Sequence, residues 1–377
     1  LETIITLPTS VVQWVLLTAL FFAFCIQLFY HLRYIQLFKR EKKNSFNTKV
    51  EPVSIVISVK NEEDYLQENL SLFLEQEYPN FELILVDDGS EDDTQSIIAG
   101  FQKRYPHLRA TKIPMDAKFQ HNKKLALSIG IKAAKNEKII FANIESKPES
   151  NNWLHTFVNS WDKGVHFGYV NFEHKKGFLY NFLRFDMHKK NLKSASFALS
   201  GNAYSGNGAN LGYNKSDFFA NKGFAKHSHF EAGYDHLMIL QLNKISGTSV
   251  CLHPEAKINL SSVSAYSNWL QLNKNYYKCR KQLPLKIRLL IDIEPLSKLV
   301  LYCVSISLLL FTHLYIFLAI VYLTRFIILG SMFKISNRHL KEENLFLSSY
   351  IYEIFVLFSK IYFLCANFSF SKSNQWK

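Results

Sequence analysis

Cysteine is sparse in this chain of 377 residues: the five present, at positions 25, 251, 279, 303 and 365, are scattered. That distribution excludes a disulfide framework and the paired spacing of a zinc site. Three of them fall in apolar segments, where a free thiol behaves as a small hydrophobe. Internal repeats and low-complexity tracts are also missing, which excludes repeat architectures. Acidic residues are in deficit, 31 against 44 Lys and Arg, and the net charge of +13 suits an anionic partner. Nucleic acid, an anionic lipid surface and a diphosphate all qualify by sign. The basic residues gather at the borders of apolar segments instead of interleaving with aromatics along one groove, so no nucleic-acid partner is expected.

What the chain does have is apolar sequence, 48% of its residues. Val11 to Tyr30 is uncharged and of the ~20-residue length that crosses a bilayer, and His31, Arg33, Lys39, Arg40, Lys42 and Lys43 follow it. Basic residues after an apolar run, with no small-x-small cleavage site, describe a membrane anchor with a cytoplasmic exit and not a secretory signal. Residues 1–30 are thus expected to be an anchor and 31–50 a basic linker. A second apolar tract, Leu299 to Phe333, has the length of a helical hairpin. Basic residues border it on both sides, which places both flanks at the same leaflet. The expectation is a transmembrane hairpin over 296–335. Over 336–377, where Glu353 and Lys360 interrupt the apolar pattern, an interfacial segment is expected.

Between these, short β-branched runs alternate with helical stretches from Glu51 onward, an α/β signature. Strands are expected at Val53 to Val59, Phe81 to Val86, Leu108 to Ile113 and Lys138 to Asn143. Helices are expected at Asn61 to Glu77, Asp92 to Arg104 and Lys123 to Lys135. The stretch from 151 to 295 is less regular. In an open parallel sheet, ligands gather beyond the carboxyl ends of the strands. Asp87-Asp88-Gly89-Ser90 lies there after the second strand, and Lys60-Asn61-Glu62-Glu63 lies there after the first. In isolation an Asp-Asp-Gly-Ser is a turn, but here two rim segments converge on one ligand. His121-Asn122-Lys123-Lys124 opens a helix whose lysines reach toward phosphate oxygens as mobile charges, or else form a solvated basic face. Asn143 and Glu145 end the fourth strand in a polar triplet. His227-Ser228-His229 and His236 have no third partner at metal spacing.

Taken with the Gly208-Ala209-Asn210-Leu211 loop, Phe218-Phe219 and the spacing to Tyr234-Asp235, this order resembles a family 2 glycosyltransferase of the membrane-anchored bacterial type. The resemblance implies an α/β GT-A fold (Rossmann-like, nucleotide-sugar-binding) over 51–295, with one N-terminal and about two C-terminal transmembrane helices. Residues 51–150 would form the donor-binding half and 151–295 the acceptor half. It further implies that a nucleoside-diphosphate sugar contacts Asn61, Glu62, Asp87, Asp88, Lys123, Lys124, Asn143 and Glu145. Glu145 would hold a divalent cation, Mg or Mn, and Asp235 would be the catalytic base of an inverting single displacement. Asn210, Trp269 and Gln271 are the candidates on the acceptor side. Basic segments on both sides hold the site against anionic lipid, so the expected acceptor is a lipid or lipid-linked glycan, with the catalytic domain on the cytoplasmic face of a bacterial inner membrane.

Three departures stand out. Asn143 replaces one acid of the family's Asp-x-Asp, and Tyr234 replaces the acid before the base. Gln271 is present without the Arg-Trp pair that processive relatives use, which argues against long-chain polysaccharide synthesis. The joint loss of acids also raises the alternative of a catalytically impaired pseudoenzyme serving as a membrane scaffold or regulator.

Overall fold

The computed structural model describes residues 10–41, 50–114, 121–230, 232–311, 314–343, 345–346 and 348–366. Residues 42–49 of the expected linker, Glu231 in the segment before Asp235, Thr312-His313 in the hairpin and the tail 367–377 lie outside that set. The chain divides into two compact units, residues 1–39 with 283–365 and residues 40–282.

The chain's first helix, α1 (Val11–Glu41), runs on through the basic residues after Tyr30. The expected linker therefore begins as helix. His31, Tyr34, Leu37 and Phe38 are buried, which gives those turns an inward face.

The second unit is the α/β unit. Strands β1 (Val53–Val59) and β2 (Phe81–Asp87) are buried nearly throughout, as strands covered on both faces must be. Between them α2 (Glu63–Leu74) buries Leu66, Leu70, Phe73 and Leu74, one face at helical spacing. After β2 come α3 (Thr94–Arg104), β3 (Leu108–Lys112), α4 (Lys123–Ala133) and β4 (Lys138–Phe141). Helix α3 stops before Tyr105-Pro106, because a residue preceding proline is driven out of the helical region. Helix α4 starts where Asn122 Oδ1 caps Leu125 N at 2.9 Å.

The remaining elements are β5 (Ser146–Pro148), α5 (Trp153–Asn159), β6 (Val165–Gly168), β7 (Val170–Phe172), α6 (Phe178–Ala198), β8 (Leu211–Asn214), α7 (Lys215–Ala220), α8 (His236–Ser246), β9 (Thr248–Cys251), β10 (Ile258–Leu260) and α9 (Ala265–Arg280). The main sheet has the order β3-β2-β1-β4-β8-β6-β9, and a small one has the order β5-β10-β7. β1 to β4 are mutually parallel, while β8 runs antiparallel to both β4 and β6. The stretch after 151 thus completes the same sheet, an outcome its irregular pattern concealed. The unit closes at Gln282, earlier than the expected 295.

The other unit joins α1 to α10 (Leu285–Phe311), α11 (Tyr315–Leu340) and α12 (Ser349–Cys365). Val11–Lys39, Leu285–Phe311 and Tyr315–Leu340 are long and apolar enough to cross a membrane, so the expected hairpin is two full-length helices. Leu20, Ala23, Leu301, Leu308 and Leu318 form its apolar core. Beside Pro295, which interrupts the backbone ladder of α10, Tyr30 Oη donates to Leu290 O at 2.6 Å and Gln27 Nε2 to Glu294 O at 2.8 Å. Glu353, on the stretch expected to lie at the interface, is fully buried. It accepts from Lys298 Nζ at 2.7 Å and from Arg325, so α12 is tied to both α10 and α11.

Breaking such a buried ion cluster by removing one partner costs about 3–5 kcal/mol, because the other charges stay buried. Glu353→Ala is therefore expected to lower the melting temperature of the detergent-solubilised protein sharply. An unshifted melt would show that the cluster is not holding the helices.

Candidate functional site

The carboxyl ends of β1, β2 and β4 share one rim, because the three strands are parallel with Val59 opposite Asp87 and Val56 opposite Phe141. Asp87 shapes the turn that follows it. Its Oδ1 accepts from Ser90 N at 2.8 Å and its Oδ2 from Gln95 Nε2 at 3.0 Å. Gly89 takes φ +75° between them, a conformation that side chains rarely adopt. Asp88 is fully buried and pairs with His121 Nδ1 at 2.7 Å. Asn61 joins this turn twice, donating from its own N to Ser90 Oγ and accepting from Glu91 N, each at 2.9 Å.

A second cluster forms on the β4 side. β4 ends at Phe141, not at Asn143, because Ser146 N and Ser146 Oγ both donate to Asn143 O and turn the chain. On that turn Asn143 Oδ1 accepts from Lys123 Nζ at 2.9 Å. The same ammonium stands over the Tyr234 ring, 4.9 Å from its centroid. Burial opposes the charge of Lys123, but Tyr234, Glu145 and Glu62 outweigh it and raise its pKa. Glu62 is pushed up to about 8, first by burial and then by the neighbouring Glu145. The phenol of Tyr234 is also raised by burial, so it stays neutral.

Asp235 follows Tyr234 and caps α8, its Oδ1 accepting from His236 N at 2.7 Å. Gly208 makes room for this arrangement: a Cβ there would lie 2.4 Å from the Tyr234 ring. Lys123, Asn143, Glu145, Glu62 and Tyr234 therefore form one interacting group, with Asp235 at its edge.

Other expected site residues are used differently. Lys124 is not mobile; it is buried and donates to His227 O at 2.7 Å and to Phe230 O, bracing the loop before α8. Burial brings its pKa down to about 8. Asn210 is fully buried and fully engaged. It donates to Tyr169 O at 3.1 Å and Ala256 O at 2.8 Å, and accepts from Trp153 Nε1 at 3.2 Å. Both of its N–H donors and its oxygen are thus committed inside the fold. Trp269 is likewise turned inward, with Nε1 donating to Asp186 Oδ2 at 2.7 Å and the ring against Phe182 and Tyr266. Gln271 is exposed on α9, where it donates to Asn275 Oδ1 at 3.4 Å. The residue of α9 that does reach the site is Asn268, whose Nδ2 donates to Glu145 Oε2 at 3.2 Å. Sequence reasoning missed Asn268 as well as the pairing roles of His121 and Tyr234. A helical wheel anchored on buried Trp269 would have put Asn268 on a different face.

The donor set does not fit a divalent cation well. A hard cation wants several anionic oxygens, but Asn143 brings no charge and its Oδ1 is engaged by an ammonium, which leaves the Glu145 carboxylate alone on this turn, one of its oxygens accepting from Asn268. Among the described residues no three His, Cys, Asp or Glu side chains converge on a metal position.

Residues 54–219 match the family described as Glycosyl transferase family 2. The chain is 34% identical over 96 residues to the poly-beta-1,6-N-acetyl-D-glucosamine synthase of Staphylococcus epidermidis, a match covering 26% of this chain and 22% of that protein. It is 32% identical over 136 residues to glycosyltransferase GlyG of Streptococcus pneumoniae serotype 4, covering 34% of this chain and 43% of the relative. These matches span less than half of either relative's length. Among solved structures, the mannosyltransferase PcManGT from Pyrobaculum calidifontis in complex with GDP-Man and Mn2+ superposes with a TM-score of 0.54 at 14% identity, over 90% of this chain and 97% of that one. That likeness shows a shared fold. The parallel-stranded rim and the strand-end acidic turn lie inside the segment that matches glycosyltransferase family 2.

Two outcomes follow from the site's packing. Asn210→Ala strips three buried partners at once, and each orphaned group costs about 1–3 kcal/mol. Strong destabilisation in a thermal melt is expected, whereas an Asn210 acting on an acceptor would leave the melt intact. His227 is held down to about 4 by burial, by Lys124 and by His229. The unfolded chain binds that proton below about 6.5 while the folded chain refuses it down to about 4, so stability falls as pH drops across that window. His227→Gln is expected to flatten the pH dependence of the melting temperature there; an unchanged slope would assign the acid sensitivity elsewhere.

Proposed function

We propose that the α/β unit transfers a sugar from a nucleoside-diphosphate donor to a hydroxyl acceptor at a membrane surface, by single displacement with inversion. The observation that carries this reading is Asp235 following Tyr234, whose ring lies under the Lys123 ammonium on the strand-end rim, 4.9 Å from ammonium to ring centroid. The acceptor oxygen forms a bond to the anomeric carbon as the bond from that carbon to the diphosphate oxygen breaks. Asp235 takes the acceptor's proton, and the departing diphosphate keeps the electron pair, facing Lys123. The Asp87-Asp88 turn is the proposed seat of the nucleoside, with Asn61 and Ser90 fixing its shape.

The acceptor proposed is a lipid or lipid-linked glycan. Apolar helices long enough to span a bilayer lie at both ends of the chain, and Lys and Arg residues cluster at their borders. Each such residue near an anionic surface adds about 1 kcal/mol. The same flanking charge supports a cytoplasmic orientation of the α/β unit in a bacterial inner membrane. The missing Arg-Trp pair after Gln271 supports limited transfer over polymer synthesis.

The test is release of free nucleoside diphosphate from a panel of nucleotide sugars, including N-acetylglucosamine donors after the staphylococcal relative's name, by protein in lipid nanodiscs. Asp235→Asn is expected to lower turnover by about 10²–10⁴-fold, the usual loss on removing a general base. Full turnover in that variant would overturn the assignment of Asp235. No turnover of any donor by the unaltered protein would favour a scaffold.

A further inference from the structure

We infer that in this chain the Lys123 ammonium replaces the divalent cation at the sugar diphosphate, so that donor binding and diphosphate departure need no added metal. This rests on the glycosyltransferase reading above. The turn after β4 would present a cation with Asn143 and Glu145, yet Asn143 Oδ1 is 2.9 Å from Lys123 Nζ and brings no charge of its own. The position before Asp235 is filled by Tyr234, a neutral phenol whose ring lies under the same ammonium as an aromatic face. Both replacements thus contact the same ammonium.

Charge counting gives the reason. With carboxylates at 143 and 234, two negative charges would outweigh the single charge of Lys123, and a divalent cation would be needed to turn those three positions net positive, Glu145 and Glu62 being the same in both cases. With Asn and Tyr there, the site is two charges more positive, the same increment that such a cation brings. The amide oxygen and the phenol orient the ammonium without neutralising it, and it is already in place before substrate arrives. A donor group fixed in advance toward developing negative charge avoids reorganisation when the leaving bond breaks. Lys123 keeps its proton throughout, as the acceptor's proton goes to Asp235.

The experiment is calorimetric titration of the full chain in nanodiscs with ADP, CDP, GDP, UDP and dTDP, in EDTA and in Mn²⁺. For whichever diphosphate binds, the dissociation constant is expected to stay within about twofold between the two conditions, and turnover of its sugar donor to persist in EDTA. Lys123→Met, confirmed folded by its melting curve, is expected to weaken binding by about tenfold or more in both. Asn143→Asp is expected to acquire binding that Mn²⁺ tightens by about tenfold. Binding by the unaltered chain that requires Mn²⁺ and is lost in EDTA overturns the inference while leaving the glycosyltransferase reading intact. Undiminished binding by folded Lys123→Met also overturns it. If no diphosphate binds in either condition, both readings fall.

Discussion

The parallel pairing of β1 with β2 on one side and β4 on the other decides where charge accumulates in this protein. It brings the ends of three strands to one edge, so the segments leaving them at Lys60, Asp88 and Ala142 become neighbours in space though far apart in the chain. Backbone ladders satisfy the strand interiors, and their apolar side chains are buried on both faces. Polar groups are therefore confined to the exits. Asn61, Glu62, Asp87, Asp88, Asn143 and Glu145 all sit on those exits, and their side chains bond to rim neighbours: Glu91 for Asn61, Ser90 and Gln95 for Asp87, His121 for Asp88, Lys123 for Asn143 and Asn268 for Glu145.

That confinement gives the rim two characters. Around β2, carboxylates are spent on backbone and side-chain donors, and the product is a stiff turn. Around β4, Lys123 is the hub. It draws together an amide from one turn and a phenol from the segment before α8, which fastens Asp235 to the sheet edge. The crowding raises the pKa of Glu62 through burial and Glu145, and the raised pKa of Lys123 is the complementary response to the same negative field. Lys124, adjacent in sequence, serves a separate purpose by closing the 227–230 loop with its ammonium.

What the sequence reveals about this molecule follows the range of the interactions involved. β1, β2 and the Asp87-Asp88 turn are written in contiguous residues: an apolar run, then Asp and Gly, which favour turns for local reasons. Asn210 could not be read the same way, because its partners Trp153, Tyr169 and Ala256 are brought to it only by the completed sheet. Trp269 and Asn268 differ by one helical position, about 100° of rotation. Which of them faces the site is fixed by Asp186 on α6, a helix whose mixed composition gave no clear period. The border of the α/β unit is hard to read for a related reason: Leu285 to Ile293 is apolar at intervals that suit either unit, and packing groups it with the helices.

The bond between Glu353 and the pair Lys298 and Arg325 bears on the order in which the helical unit is assembled. Without Glu353, Lys298 of α10 and Arg325 of α11 would be two like charges sharing one buried position, and like charges repel. The short last helix turns that repulsion into attraction on docking. A chain cut before Ser349 would thus lose the counter-charge of α10 and α11 as well as a helix.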